Sequence, residues 1–555
     1  MPVITFRRSD LESLLGRYFS SGEELVSYLN RLKGEVEGVR GDEVEFEVTH
    51  DRPDLFSVEG IARALKGLMG IEVGLPRVNV VNRGFVLNVD NVPNRPFIAM
   101  GIVRDVRLSD EAIRQMIQLQ EKLHMTYGRN RRKMAIGFYD LDKIKPPITY
   151  RLMPMKEVRY RPLGYQSPMS GEEVVKNTDK GIAYGQYAVY GDKVPVLQDS
   201  ENNILVIIPV LGSEDFKVTE STKNVLIDVT ALDLKLAKTT LAILTYNLLE
   251  RSSTKTVELI NIRAPWGSME SPDLRPMVFN VGVDFINDYL GLELTKDDIV
   301  RYLLMSRHDV EDLGSELRVS VAPYRVNVLH AVDLAEDVAV AYGYDRIPRE
   351  LPRQSVKGSL TPLSRYADLI RDIMIGMGFQ EVLNYMMSSR DTMVNRVRYE
   401  RPMVEVQNPK SELYTVIRDH IWPQLLEVAS RNKAMVEGGL RVFEVGFVAR
   451  SNGVGEVGVE EHLVLGMLII GPGVTLTNGL SAVTTLMSNL GLTPKLRECA
   501  VPGGLSERTA CITLGDGDVG FVMEVSPDVL LNFELTYPAV VAEVSIDELL
   551  RRLGK

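Results

Sequence analysis

The sequence predicts an α+β protein built from several domains. Three observations predict it. Its 555 residues exceed what one hydrophobic core ordinarily serves. Helical spacing and strand alternation succeed one another along the whole chain. The closing stretch sets several apolar strands beside a long helix, the pattern of an antiparallel sheet with flanking helices. Shifts in this pattern divide the chain into blocks 1–76, 77–262, 263–352 and 353–555.

In the first block, Asp10 to Gly16 reads as a short capped helix. Asp42 to Thr49 alternates acidic and apolar residues, as a half-buried strand does. HDRPDLFSVEGIARALKGLMG then enters an apolar helix that Asp54 or Ser57 is placed to cap. The second block opens on strand-like FVLNV and FIAMGIVRDV and continues with a helix from Asp110 to about Tyr127. A basic knot, GRNRRK, and the strand MAIGFYDLD follow. It closes on NVLIDVT and a helix in which Leu234, Ala237, Leu241, Leu244 and Leu248 recur at helical spacing. The third block is a small α/β unit: MVFNV, KDDIVRYLLMS, LRVSVA and an acidic helix. In the fourth, SRYADLIRDIMIGMGF precedes the strands GLRVFEVGFVA, HLVLGMLIIG, TACITL, VGFVMEV and AVVAEVSI. GDGDVG, from Gly515 to Gly520, matches a dinucleotide motif by letters. It leads into a strand where that motif must open a helix, so a hairpin turn is expected there.

Composition narrows the function. A net charge of −11 means that any RNA contact needs a local basic patch or a partner. Two cysteines exclude a disulfide framework and a four-cysteine zinc site, and fit a reducing cytoplasm. The six histidines show no zinc-protease spacing. MPVITFRRSD lacks a signal peptide's apolar core, and no apolar run reaches membrane-spanning length. Arg129, Arg131, Arg132 and Lys133 are candidates for phosphate contact, although such clusters also occur as plain solvated charge.

YRVNVLHAVDLAEDVAVAYGYDRIP, Tyr324 to Pro348, holds the most pointed chemistry. Asp333, Glu336 and Asp337 fall at i, i+3 and i+4, which puts three carboxylates on one helix face, and Asn327 adds an oxygen upstream. Oxygen donors of this kind suit magnesium. Acids near a helix start also interact favourably with its dipole without any metal, so both readings stand on spacing alone.

Six segments in register resemble the β subunits of phenylalanine–tRNA ligase, of the shorter archaeal and eukaryotic type. They are EVTHDRPDLFSVEGIARALKG, LQEKLHMTYGRNRRKMAIGFYDLDKIKPPITY, VTESTKNVLIDVTALDLK, VDLAEDVAVAYGYDRIP, LTPLSRYADLIRDIMIGMGFQEVLNYMMSS and PKSELYTVIRDHIWPQLLEVASRN. The resemblance covers essentially the whole chain. It implies an N-terminal α/β domain, an editing module, a helix-turn-helix-like module carrying the magnesium motif, and a degenerate class II synthetase domain. It implies a cytoplasmic protein that joins an α subunit, as two α and two β, and binds tRNA(Phe) in an ATP-dependent ligase. The aminoacylation site would lie on the α subunit, since the last block lacks the arginine-bearing ATP signatures. It implies Mg2+ at Asn327, Asp333, Glu336 and Asp337, where many relatives carry aspartate at the Asn327 position; asparagine keeps the oxygen but loses the charge.

The resemblance also implies a site that hydrolyses mischarged Tyr-tRNA(Phe), because an apolar ring pocket discriminates one hydroxyl poorly. Its candidates are Asp228 and Thr230, two apart on one strand face, together with Ser213 in LGSEDF. Alternatively, Thr230 and Asp233 cap the helix that follows. Two departures bear on this module. Relatives commonly have histidine where Tyr139 stands, and a PPIIN-like loop where this chain has IPVLG, Ile208 to Gly212. An assembly and RNA-binding scaffold without editing is the alternative.

Overall fold

The computed structural model describes residues 2–351 and 356–553. It divides into two compact units, Met1–Glu350 and Leu351–Lys555.

The first unit opens on a three-stranded sheet. Glu43–Val48 lies between Val3–Arg7 and Gly34–Arg40, antiparallel to both. Its alternation puts Val44, Phe46 and Val48 into the core, as the sequence pattern predicts. The helix Arg8–Leu15 ends at Gly16, whose φ of 66° is a left-handed cap that glycine adopts without steric cost. Ser57 does stand at the N-cap of Val58–Leu68, but it makes no cap hydrogen bond. Its hydroxyl instead accepts from Asn247 Nδ2 at 3.1 Å, tying this helix to Leu234–Leu249.

A ten-stranded mixed sheet follows. It runs past residue 262 to include Gly267–Ser271. Val225–Ala231 is antiparallel to Phe97–Val103 on one side and to Met134–Asp140 on the other. All seven residues of Val225–Ala231 are buried. Val225, Ile227, Val229 and Ala231 pack into the core shared with Leu241 and Leu244, while Leu226 belongs to a second cluster with Tyr139 and Tyr150. Asp228 and Thr230 share the register of Leu226, so they lie on that second face.

The third segment has the strands Met277–Gly282, Asp309–Asp312 and Glu316–Val321. Its helices are Val283–Leu290, Lys296–Met305 and the acidic helix Ala331–Tyr342. Val283–Leu290 and Asp309–Asp312 add to the elements that the sequence pattern predicts. Its apolar residues join those of the first segment in one cluster that runs from Ile4 to Ala341.

The second unit is built on a seven-stranded sheet. Gln380–Glu381 pairs in parallel with Leu440–Ser451, and the other neighbours are antiparallel. Helix Pro362–Gly376 covers one face through Ala367, Ile370 and Met374, and Trp422–Arg431 covers the other through Leu425 and Leu426. Gly504–Leu514 and Gly517–Val525 form a hairpin, so GDGDVG is a strand turn, as expected. Cys499 and Cys511 are joined in a disulfide, where a reducing compartment predicts two thiols. Among the described residues no helix is long and apolar enough to cross a membrane.

Candidate functional site

The acidic helix does not present its carboxylates as one group. Asp333 accepts from the backbone N–H of Leu329 at 2.7 Å and of His330 at 2.8 Å, closing the helix start. Glu336 takes an ion pair from Lys33 Nζ at 2.7 Å, and Lys33 also holds Asp51 at 3.0 Å. Asp337 turns into the core. Arg325 Nη2 donates to its two oxygens at 2.7 and 2.8 Å, and His308 Nε2 lies 2.8 Å away. Asn327 Oδ1 accepts from Arg325 Nε at 3.1 Å. Burial pushes the Asp337 carboxyl up, but the Arg325 charge and the His308 hydrogen bond outweigh it and hold the group well below the usual carboxylate range.

Each of Asn327, Asp333, Glu336 and Asp337 thus has its own partner within the chain, and the four do not converge on one point. A cation at Asp337 would have to displace an arginine in a buried site. Among the described residues no group of three His, Cys, Asp or Glu side chains is placed to hold a metal ion. Helical spacing put the three acids on one face. Which of them meets a cation from elsewhere in the fold depends on Arg325 and His308, which spacing does not reveal.

A cavity of about 410 Å³ lies at the edge of the ten-stranded sheet. Helix Asp110–Met125 contributes Ile113 and Met116, strand Met134–Asp140 contributes Ile136 and Phe138, and the loop Ile208 to Gly212 closes a third side. Glu121, Arg131, Lys180 and Lys217 add charge to the lining. Asp228 and Tyr139 form the polar end, where Tyr139 Oη donates to Asp228 Oδ1 at 2.7 Å. Gly137 pairs across from Asp228 in the sheet. A Cβ there would fall 2.2 Å from both Asp228 Oδ1 and Tyr139 Oη, so the missing side chain is what lets the Tyr139 ring reach back to the acid.

Burial pushes the Asp228 carboxyl up to about 7, against the lowering effect of the Tyr139 hydrogen bond and the Arg95 charge. Burial and the Asp228 charge together raise Tyr139 far above the ordinary phenol. Burial with a raised carboxyl beside a cavity is an arrangement found at functional sites and also in structural networks.

The other editing candidates separate. Ser213 lines the cavity, but its Oγ accepts from the Asp215 N–H at 3.2 Å. Thr230 is buried outside the lining, and its hydroxyl has no partner among the described residues. In the alternative cap, Asp233 does accept from the Leu236 N–H at 2.8 Å, while Thr230 stays in the strand. The Tyr139 and IPVLG departures both lie in the cavity wall.

The basic knot is a left-handed turn, with φ of 45°, 53° and 62° at Arg129, Asn130 and Arg131. Each such residue costs about 1–2 kcal/mol, and the buried Arg131 side chain offsets this. It donates to the carbonyls of Pro209 and Val210 at 3.2 and 3.1 Å, meets Glu121 at 2.6 Å and lies over the Tyr184 ring at 4.7 Å. Arg131 is therefore a cavity strut and not a phosphate ligand, whereas Arg129, Arg132 and Lys133 remain exposed. His124 Nε2 accepts from the Ile136 N–H at 2.9 Å, and burial lowers it to about 4, so it is neutral. Sequence reading missed Gly137, Glu121, Lys180 and Lys217. None of them carries a local signal, because the loop and strand that bring them together are distant in the chain.

Three family models match in chain order. They are the B3/4 domain over residues 95–254, the tRNA synthetase B5 domain over 279–344 and the phenylalanyl tRNA synthetase beta chain CLM domain over 347–546. The phenylalanine–tRNA ligase beta subunit of Pyrobaculum aerophilum is 42% identical over 550 residues, 98% of this chain and 100% of the relative. That of Thermofilum pendens is 40% identical over 563 residues, spanning 100% of both chains. A crystal structure of an N-terminal fragment of the Pyrococcus horikoshii subunit is 37% identical and superposes with a TM-score of 0.59, covering 62% of this chain and 100% of the fragment. The chain belongs to the family of phenylalanine–tRNA ligase beta subunits.

Proposed function

We propose that this chain is the β subunit of an ATP-dependent phenylalanine–tRNA ligase, required with an α subunit for attaching phenylalanine to tRNA(Phe). The full-length similarity to named β subunits supports this. The α subunit would carry the aminoacylation site, and the second unit would be a noncatalytic relative of the synthetase sheet whose two faces are covered by its own helices. The chain would bring assembly, tRNA binding and a pocket for the aminoacyl end of tRNA. Its division into an N-terminal domain to residue 76, an editing-type domain to 262 and a magnesium-motif module to 352 belongs to the same proposal. So do a cytoplasmic location and a two-α, two-β assembly.

The cavity beside Asp228 is the observation that carries the editing part of this reading. An apolar chamber of about 410 Å³ has room for one amino-acid side chain, and Lys180 and Lys217 offer charge to the RNA end. The assembled enzyme should release tyrosyl-, leucyl- or methionyl-tRNA(Phe) faster than buffer does. Leu211→Trp, which fills the chamber, should slow that release at least tenfold. Release at the uncatalysed rate from every ester would favour the second reading, an assembly and RNA-binding scaffold without editing. The cover that Tyr139 forms over Asp228 favours that reading.

For the α subunit we propose the exposed apolar surface of the second unit. Leu383, Tyr385 and Leu413 are 89%, 73% and 67% exposed, and Tyr385 packs edge-on to Tyr414. Tyr385→Asp with Leu413→Asp should abolish co-purification with the α subunit. Mg2+ at Asn327, Asp333, Glu336 and Asp337, shared with the α subunit in the assembled ligase, belongs to the same proposal. Asp333 and Glu336 keep partly exposed carboxylates, and no step depends on them.

A further inference from the structure

In a chain with a net charge of −11, cations gathered without acids to answer them are informative. One end of the ten-stranded sheet holds such a gathering. Met134 pairs with Ala231 at that end, and the Leu232 N–H donates to the Lys133 carbonyl at 3.0 Å. The basic turn therefore leaves the sheet beside the start of helix Leu234–Leu249. The buried Arg95 fixes the two together. Its guanidinium donates to the carbonyls of Arg131, Arg132 and Thr230 at 2.7, 3.2 and 3.3 Å. These bonds hold the backbone of the turn and leave the side chains of Arg129, Arg132 and Lys133 exposed.

The same helix start borders a groove of about 660 Å³. Lys235, Lys238 and Thr239 line it from one helical face, and Asp273 and Arg275 line it as well. Asp273 is engaged with Arg275, accepting from its Nε and Nη2 at 2.8 and 2.6 Å. The nearby Asp233 caps the helix through the Leu236 N–H. Among the described residues Arg129, Arg132, Lys133, Lys235 and Lys238 form no ion pair. The turn also touches the cavity, whose wall includes Arg131. Unpaired cations thus lead from the cavity wall, over the turn, to the groove.

We propose that this surface, from Arg129, Arg132 and Lys133 to the groove at Lys235 and Lys238, binds phosphates of the RNA strand whose aminoacyl end enters the cavity. This rests on the reading of the cavity as an aminoacyl pocket, and it names the side chains that would hold the rest of the strand. Lysine and arginine grip a phosphate backbone by charge and fix its register without reading bases. An acidic protein segment would have no reason to start at the cavity, whereas a strand anchored there by its end carries a phosphate at every following nucleotide.

The test is the affinity of the enzyme assembled with its α subunit for uncharged tRNA(Phe), measured over a range of salt concentrations. Lys235→Gln with Lys238→Gln should weaken binding at least fivefold at low salt. It should flatten the slope of log affinity against log salt by about 1.5, the loss of two phosphate contacts. Neither lysine is paired, so thermal unfolding should not change. The same variant should raise the KM for release of tyrosyl-tRNA(Phe) at least fivefold and leave kcat unaltered. An unmoved salt slope, a weakened affinity with an unmoved KM, or loss of co-purification with the α subunit, the mark of a protein contact, would each overturn the inference and leave the cavity reading in place. Release of no ester by the unaltered enzyme would overturn that reading and the inference with it.

Discussion

Asp337 and Asp228 are both buried, and the fold treats them in opposite ways. Asp337 is gripped by Arg325 and His308 and held ionised. Among the described residues Asp228 has a single phenol for a hydrogen-bond partner; it borders a cavity and is pushed up to about 7 by burial. A carboxylate whose charge is matched within the fold serves the fold. One left at the wall of a chamber with its charge unmatched is available for recognition or chemistry. The acidic helix stands out by its spacing, yet its buried acid is paired within the fold, whereas Asp228 borders a cavity.

The sharpest way to break this contrast is to remove Asp337. Asp337→Ala leaves Arg325 buried without its counter-charge, and should cost roughly 3–5 kcal/mol in denaturant unfolding. A loss below 1 kcal/mol would show that the pair does not hold the acidic helix in place. The pH dependence of the two acids should also run in opposite directions. Asp337 is depressed on folding, so the stability it contributes is present above the unfolded carboxylate value near 3.9 and is lost as the pH falls below it. Asp228 is raised on folding, so the folded state holds the extra proton. Stability is then greatest below about 4 and declines as the pH rises through about 7. Between pH 5 and pH 8 the decline should amount to roughly 2–3 kcal/mol, and Asp228→Asn should abolish it when urea midpoints at those two pH values are compared. An unchanged difference between those midpoints would mean that Asp228 is not the proton-holding group.

The remaining acids of the helix should matter less. Asp333→Ala removes the two backbone hydrogen bonds at the helix start and should cost about 1 kcal/mol. Glu336→Gln breaks a partly exposed pair with Lys33 and should cost about 0.5 kcal/mol. Thermal unfolding of both variants checks this order. A larger loss from Glu336→Gln than from Asp337→Ala would reverse the account of which acid the fold depends on.

Much of the fold was legible because periodicity is a local property. The strand around Val44 to Val48 and the helix carrying Leu234 to Leu248 follow directly from spacing. Asp228 and Thr230 do share a strand face, as their separation of two requires, but the cavity ends before it reaches Thr230. What could not be read were partners that only tertiary folding brings together. His308 is 29 residues from Asp337, and the carbonyls that Arg131 holds belong to Pro209 and Val210, 78 and 79 residues away. The left-handed turn at Arg129 to Arg131 contains no glycine to announce it. The disulfide joins two cysteines in a chain whose composition argued for free thiols.

The most direct test of the central claim, that the Asp228 cavity receives the aminoacyl end of tRNA, is the release of leucyl- and tyrosyl-tRNA(Phe) by the enzyme assembled with its α subunit. Release of the leucyl ester well above the uncatalysed rate, slowed at least tenfold by Leu211→Trp with phenylalanine charging intact, is the predicted result. Release that is no faster than in buffer, or that Leu211→Trp leaves unchanged, would contradict it.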